Sequence, residues 1–117
     1  MAAGNDKGCV AVLGTSYTIH KVRREQDPDL AESDGYCDKT VKKIVVVDLG
    51  KKDSDLGDVK AYMKKVLRHE IVHAFMFESG LAENWEHKDY GQEETVVDWF
   101  AIQGPKIYRA WTDAGAV

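Results

Sequence analysis

The chain has little of several things, and each shortage removes a class of protein. It holds two cysteines and two prolines among 117 residues. Two cysteines cannot build the dense disulfide framework of a small secreted scaffold. Cys9 and Cys37 form neither a C-x-x-C pair nor a ligand pair with a nearby histidine, so both are read as free thiols. No internal repeat and no low-complexity stretch is present, which excludes a solenoid and a proline-rich linker. No apolar run approaches the roughly 18 residues of a membrane span, and Met1 to Gly8 is polar rather than a hydrophobic leader. The expectation is a cytoplasmic protein with no membrane partner. Positive charge is also short: 16 Lys and Arg stand against 20 Asp and Glu, for a net charge of -4. The runs Lys42-Lys43, Lys51-Lys52 and Lys64-Lys65 are read as solvated faces, and no nucleic-acid partner is expected.

What remains is the balance of a folding chain, 44% hydrophobic and 31% charged. A chain of this length supports one core, so residues 1–117 are read as a single domain with 113–117 as a loose tail. The first half carries strand and turn signals. Cys9 to Leu13 and Tyr17 to Val22 are β-prone runs joined by Gly14-Thr15-Ser16, a hairpin pattern. Residues 23–35 are polar, with turn signals at Asp27-Pro28-Asp29 and Ser33-Asp34-Gly35. Tyr36 to Asp38 leads into Lys43 to Asp48, whose β-branched run predicts a central strand.

The second half reads as helix. A long helix is predicted from Leu56 or Asp58, capped by Ser54 or Asp55, with Val59, Tyr62, Met63, Val66, Leu67, Ala74 and Phe77 on one face. Ser79-Gly80 is its stop signal. Leu81 to Gly91 is an aperiodic connection, and a second helix is predicted from Gln92 to Gln103. Gly104-Pro105 is expected to interrupt it before a further turn at Lys106 to Trp111.

The chemistry lies in His69-Glu70-Ile71-Val72-His73. On a helix, residues four apart differ by about 40 degrees around the axis and one turn in height, so both imidazoles can reach one ion. Glu70 sits about 100 degrees from His69, where its carboxylate can approach a water beside the metal without ligating it. Zinc suits such a site because it acidifies water and polarises a carbonyl without redox chemistry, provided one position stays open. Two histidines then want one more protein ligand. Glu94-Thr95-Val96-Val97-Asp98 follows in a predicted helix and offers Glu94 and Asp98 at i, i+4. One carboxylate can complete the zinc site while the other orients a ligand histidine through its outer nitrogen.

H-E-x-x-H followed about twenty residues later by E-x-x-x-D resembles the gluzincin metallopeptidases, the thermolysin-like branch of the zincins. The resemblance implies His69, His73 and Glu94 as zinc ligands, Glu70 as general base and Asp98 as the partner behind a ligand. Arg68 to Phe75, Glu78 to Leu81, Val97 to Gln103 and Asp34-Gly-Tyr-Cys-Asp38 also resemble small zincin-like proteins of phages and prophages of Gram-positive bacteria, which would place the protein in a host cytoplasm. Large gluzincins carry a further His, Tyr or Arg to stabilise the oxyanion, and this chain is too short for their upper subdomain. His87 and Tyr90 are the candidates for that donor, ahead of Tyr108. Glu93 is the fallback third ligand, Glu78 is read as an exposed carboxylate near the helix end, and His20 as a half-exposed strand residue.

The expected fold is an α+β, minimal zincin-like domain: a small, mainly antiparallel sheet packed on the long H-E-x-x-H helix, with a second C-terminal helix. The expected function is zinc-dependent hydrolysis of a peptide bond in a peptide or protein substrate, by zinc-activated water with Glu70 as base. The alternative is a non-enzymatic zinc-containing protein that keeps the site for stability or for docking a partner.

Overall fold

The computed structural model describes residues 8–50, 57–82 and 94–117, excepting the side chains of Glu94, Thr95, Val97 and Asp98. The described chain is α+β. Strands β1 (Cys9–Val12) and β2 (Thr15–Val22) are followed by 3-10 turns at Arg24–Gln26 and Pro28–Leu30, then β3 (Gly35–Asp38), β4 (Lys43–Val47), α1 (Val59–Glu78) and α2 (Glu94–Asp113). The β1–β2 hairpin turns on Leu13 and Gly14, both at positive φ (50 and 88). Two left-handed residues give the tight turn whose twist matches that of the strands, and only the glycine adopts it without steric cost.

The sheet order is β1-β2-β4-β3. The outer pairs β1–β2 and β3–β4 are antiparallel, but the central pair β2–β4 is parallel, with Ile19 opposite Ile44 and Val22 opposite Val47. The sheet is therefore mixed, with two of its three pairings antiparallel and the central one parallel. Its topology explains why. Val47 donates to the Asp34 carbonyl and Asp48 to the Val22 carbonyl, so residues 23–34 stay at the end of the sheet where β2 finishes. They step over one strand position, β3 runs back down the far edge, and β4 rises in the gap between.

Both faces of the centre are covered, which is why β4 reads as an unbroken apolar run rather than an alternation. Ile44 and Val46, with Tyr17, Ile19, Val10 and Val12, face the helices. Val45 and Val47 face Leu30, packed with Val22, Tyr36 and Leu49. The buried residues of α1 are Val66, Leu67, Glu70, Ile71, Ala74 and Phe75. Fully burying a side chain such as Ile71 or Phe75 contributes about 1.5–3 kcal/mol, so this one face is enough to hold α1 on the sheet.

Three details differ from the sequence-based expectation. The cap of α1 is Asp58, whose carboxylate accepts from the Ala61 N–H at 3.0 Å; the expected caps Ser54 and Asp55 lie outside the described residues. The second helix is not broken at Gly104-Pro105 but continues to Asp113. Pro105 and Ala101 are both exposed, so the Ala101 carbonyl that loses its helical partner faces water. The expected loose tail is held in place. Gly115, at φ 70, lets the Gly115 N–H reach the Thr112 carbonyl and the Ala116 N–H reach the Trp111 carbonyl, a double closure that satisfies the helix end. Ala114 and Ala116 are buried, and the Arg68 guanidinium donates to the Ala116 carbonyl at 2.8 Å. At the other end of α2, the Trp99 indole donates to the Ser79 hydroxyl at 2.8 Å. The two helices therefore lie antiparallel, with the start of α2 beside the end of α1.

Candidate metal centre

α1 places His69 and His73 one turn apart on a flank that faces solvent. Their Nε2 atoms stand 3.1 Å apart and their rings meet edge to face, with centroids 4.8 Å apart. His73 also stacks on Phe77, with centroids 6.3 Å apart. Partial burial of that ring, then the neighbouring His69, hold the His73 pKa below the ordinary histidine value. Both effects favour the neutral imidazole, the form that ligates metal. Zinc–nitrogen bonds are about 2.0–2.1 Å, so two ligand nitrogens 3.1 Å apart would subtend roughly 95–100 degrees at one ion, somewhat less than tetrahedral. The pair fits two arms of a zinc site.

Glu70 turns the other way, into the joint between α1 and the sheet, and is only 6% exposed. Burial pushes its pKa up from 4.5 to about 7. The carboxylate lies against β3 at Gly35, where an added Cβ would come within 3.3 Å of Glu70 Oε2 and within 2.9 Å of both the Val45 carbonyl and Val66 Cγ1. At Gly35 backbone, helix and carboxylate close together and leave no room for a side chain.

A cleft of about 220 Å³ opens between this strand and α1, lined by Ser33, Asp34, Tyr62, Lys65, His69 and Glu70 among others. Its walls are braced. The Tyr62 hydroxyl donates to Asp34, and the Arg24 guanidinium bonds the same carboxylate at 2.8 Å and the Ser33 carbonyl at 3.0 Å. Arg24 first, then the Tyr62 hydrogen bond, keep Asp34 well below the usual carboxylate range. The next residue of β3 that faces α1, Cys37, has its thiol pushed up to about 12 by burial and then by the charge of Glu70. Both cysteines are free thiols.

The candidates named from the sequence fall in different places. His69 and Glu70 line the cleft, and His73 stands one turn further along α1 with its Nε2 against that of His69. Glu94 opens α2 and Asp98 lies one turn further along the same helix, while their side chains, and His87, Tyr90 and Glu93, lie outside the described residues. Among the described residues no three of His, Cys, Asp and Glu converge as a metal-holding group, and Glu70 does not join the two histidines in one. His20 is exposed on β2, with a ring nitrogen 3.0 Å from the Thr18 hydroxyl, and Tyr108 is exposed on α2.

Glu78 corrects an expectation. It is not an exposed carboxylate: its side chain is 14% exposed and accepts from the Tyr17 hydroxyl at 2.6 Å and from Lys42 Nζ at 2.7 Å. The lysine, then the tyrosine, hold its pKa below the ordinary value. Asp34, Gly35, Tyr62 and Lys65 are the cleft residues that sequence reasoning did not single out as functional. The Ser33-Asp34-Gly35 turn and the Asp34-Gly-Tyr-Cys-Asp38 run mark the first two, and Tyr62 reads only as part of the apolar face of the helix.

No protein family, curated protein or solved structure matches this chain. No helix among the described residues is long and apolar enough to cross a membrane.

Proposed function

We propose that the chain is a minimal gluzincin-like, zinc-dependent peptidase, with His69 and His73 as two ligands, Glu94 as the third, Asp98 as the carboxylate behind a ligand and Glu70 as general base. The observation that carries this reading is the pairing of two convergent Nε2 atoms, 3.1 Å apart, with a neighbouring buried carboxyl whose pKa stands at about 7. A base is most effective near the working pH, and burial without a fixed cationic partner sets Glu70 there. Zinc, when bound, would polarise a peptide carbonyl and acidify water.

The residues of the chain do the rest. Glu70 takes a proton from the attacking water at its carboxylate and returns it to the leaving amine. β3 is the outer strand of the described sheet and borders the cleft, so an extended peptide that pairs along it, displacing the Ser33 hydroxyl from the Gly35 N–H and carbonyl, would bring a carbonyl toward Glu70. Tyr62, Asp34 and Arg24 hold that edge in position. Glu94 as the third ligand rests on the sequence pattern, an E-x-x-x-D on the helix that follows H-E-x-x-H.

Zinc content and peptide cleavage, measured on wild type, Glu70→Gln and His69→Ala, test the reading. Wild type is expected to hold about one zinc and to cleave members of a peptide library. Glu70→Gln should keep the metal and lose turnover by at least about a hundredfold, and His69→Ala should lose the metal. Wild type with full zinc but no cleavage would point instead to a zinc-containing binding protein, and loss of zinc from Glu70→Gln would make Glu70 a ligand. Glu94→Ala should weaken zinc far more than Glu93→Ala; the reverse order would move the third ligand.

A further inference from the structure

We propose that a second hollow, on the flank of α1 opposite the histidines, is a docking site for an acidic peptide segment that carries an apolar anchor side chain. The hollow holds about 330 Å³ and lies between the β2–β4 pair, the first half of α1 and the closed end of α2. Its floor is apolar: Ile19, Val46, Leu67 and Ala114 line it and are themselves buried members of the core. Its rim is cationic. Lys21 reaches it from β2, and Lys60 and Lys64 from successive turns of α1. Among the described residues no carboxylate lines the hollow, and no ion pair involves any of these three lysines.

In a chain of net charge -4, three ammonium groups with no ion pair among the described residues, set around one apolar hollow, are a local reversal of sign. Their arrangement decides the ligand class. The lysines stand on two elements on either side of the floor, and two of them are a helical turn apart. That layout suits several carboxylates spread along a chain, with one apolar side chain between them seated on the floor. Met63 lines the same hollow, and an unbranched thioether adapts to the shape of an anchor as methionines do on other peptide-binding surfaces. Exposed ion pairs contribute little affinity each but steer and select the partner, while the buried anchor supplies the hold. The site is independent of the proposed peptidase chemistry, because Lys60, Met63, Lys64 and Leu67 lie on a different face of α1 from Tyr62, His69 and His73.

The probe is a short fluorescein-labelled peptide with a central Leu-Phe pair flanked on both sides by glutamates, read by anisotropy. Wild type and Glu70→Gln should bind it equally, in the micromolar range. Lys60→Glu combined with Lys64→Glu should weaken binding by at least about tenfold, as should Lys21→Glu alone on the other element, and salt raised to about 0.5 M should weaken it several-fold. These lysines are exposed, so melting curves of the variants should match wild type. Peptides with glutamine for glutamate, or serine for the Leu-Phe pair, should bind poorly. No binding by wild type, or binding that survives charge reversal, would overturn the proposal. So would charge reversal abolishing self-association or adhesion to phosphatidylglycerol vesicles while the peptide fails to bind, since the occupant would then be a second copy or a lipid surface.

Discussion

Two carboxylates on one helix meet opposite fates. Glu78, at the end of α1, takes a hydroxyl and an ammonium from the sheet side and is held ionised. Glu70, two turns earlier, is buried against Gly35, and desolvation keeps its proton to about 7. The residue type is the same and so is the helix. What differs is whether a strand supplies donors or only apolar wall and backbone. Glu78 serves as a clamp between helix and sheet, and Glu70 is left with its basicity available.

The sharpest way to break the comparison is to titrate stability in the metal-free protein. Folded Glu70 keeps its proton to about 7, whereas an unfolded glutamate gives it up near 4.5. In that window the folded state binds one proton more, so stability falls as pH rises and levels off above 7. The fall should amount to about 3 kcal/mol in urea unfolding with chelator present, and Glu70→Gln should remove it. A flat profile for wild type would mean that Glu70 is as well solvated or partnered as Glu78.

Next in size is Gly35→Ala. Its new Cβ would stand 2.9 Å from the Val45 carbonyl and from Val66 Cγ1, and overpacking of this kind costs about 1–3 kcal/mol in chemical denaturation. The loss should come with a lower Glu70 pKa, because the strand must move away and admit water. An unchanged midpoint would show that β3 is not closed onto the helix.

Glu78→Gln should have the smallest effect, about 1 kcal/mol at neutral pH, because the amide oxygen can still accept from Tyr17 and only the partly exposed Lys42 pair is lost. Glu78 has a depressed folded pKa, so its contribution is present above the unfolded value of 4.5 and is lost as pH falls through the folded value. The variant should therefore have a shallower acid limb, part of which Asp34 also supplies. An acid limb identical to wild type would strip Glu78 of its clamp role.

Much of this was legible because it depends on local pattern. The Ile44 to Val47 run, the Gly14 turn and the His69-Glu70-x-x-His73 spacing each constrain structure within a few residues. The parallel pairing of β2 with β4 depends on where residues 23–34 cross the sheet end, a long-range choice that short-range periodicity does not encode. Pro105 reads as a break because the propensity against proline is strong, yet packing of Ile107 and Ala110 on the core carries the helix through. Tail residues 114–116 are small and bland in composition, and their order comes from a cap that only the three-dimensional end of α2 reveals. Glu78 looked solvent-bound because its partners, Tyr17 and Lys42, are far away in the chain.

The mixed sheet has a kinetic consequence. β3 and β4 are joined by the short turn 39–42, whereas pairing β2 with β4 must bring Ile19 to Ile44. Short loops close sooner and at lower entropic cost, so the β3–β4 hairpin can form before the sheet centre it belongs to. Until β2 arrives, Ile44-Val45-Val46-Val47 presents an open, uncharged, β-branched edge. During refolding that edge is the stretch most exposed to pairing with another molecule, and dilution should protect the yield more than any change that strengthens the finished fold.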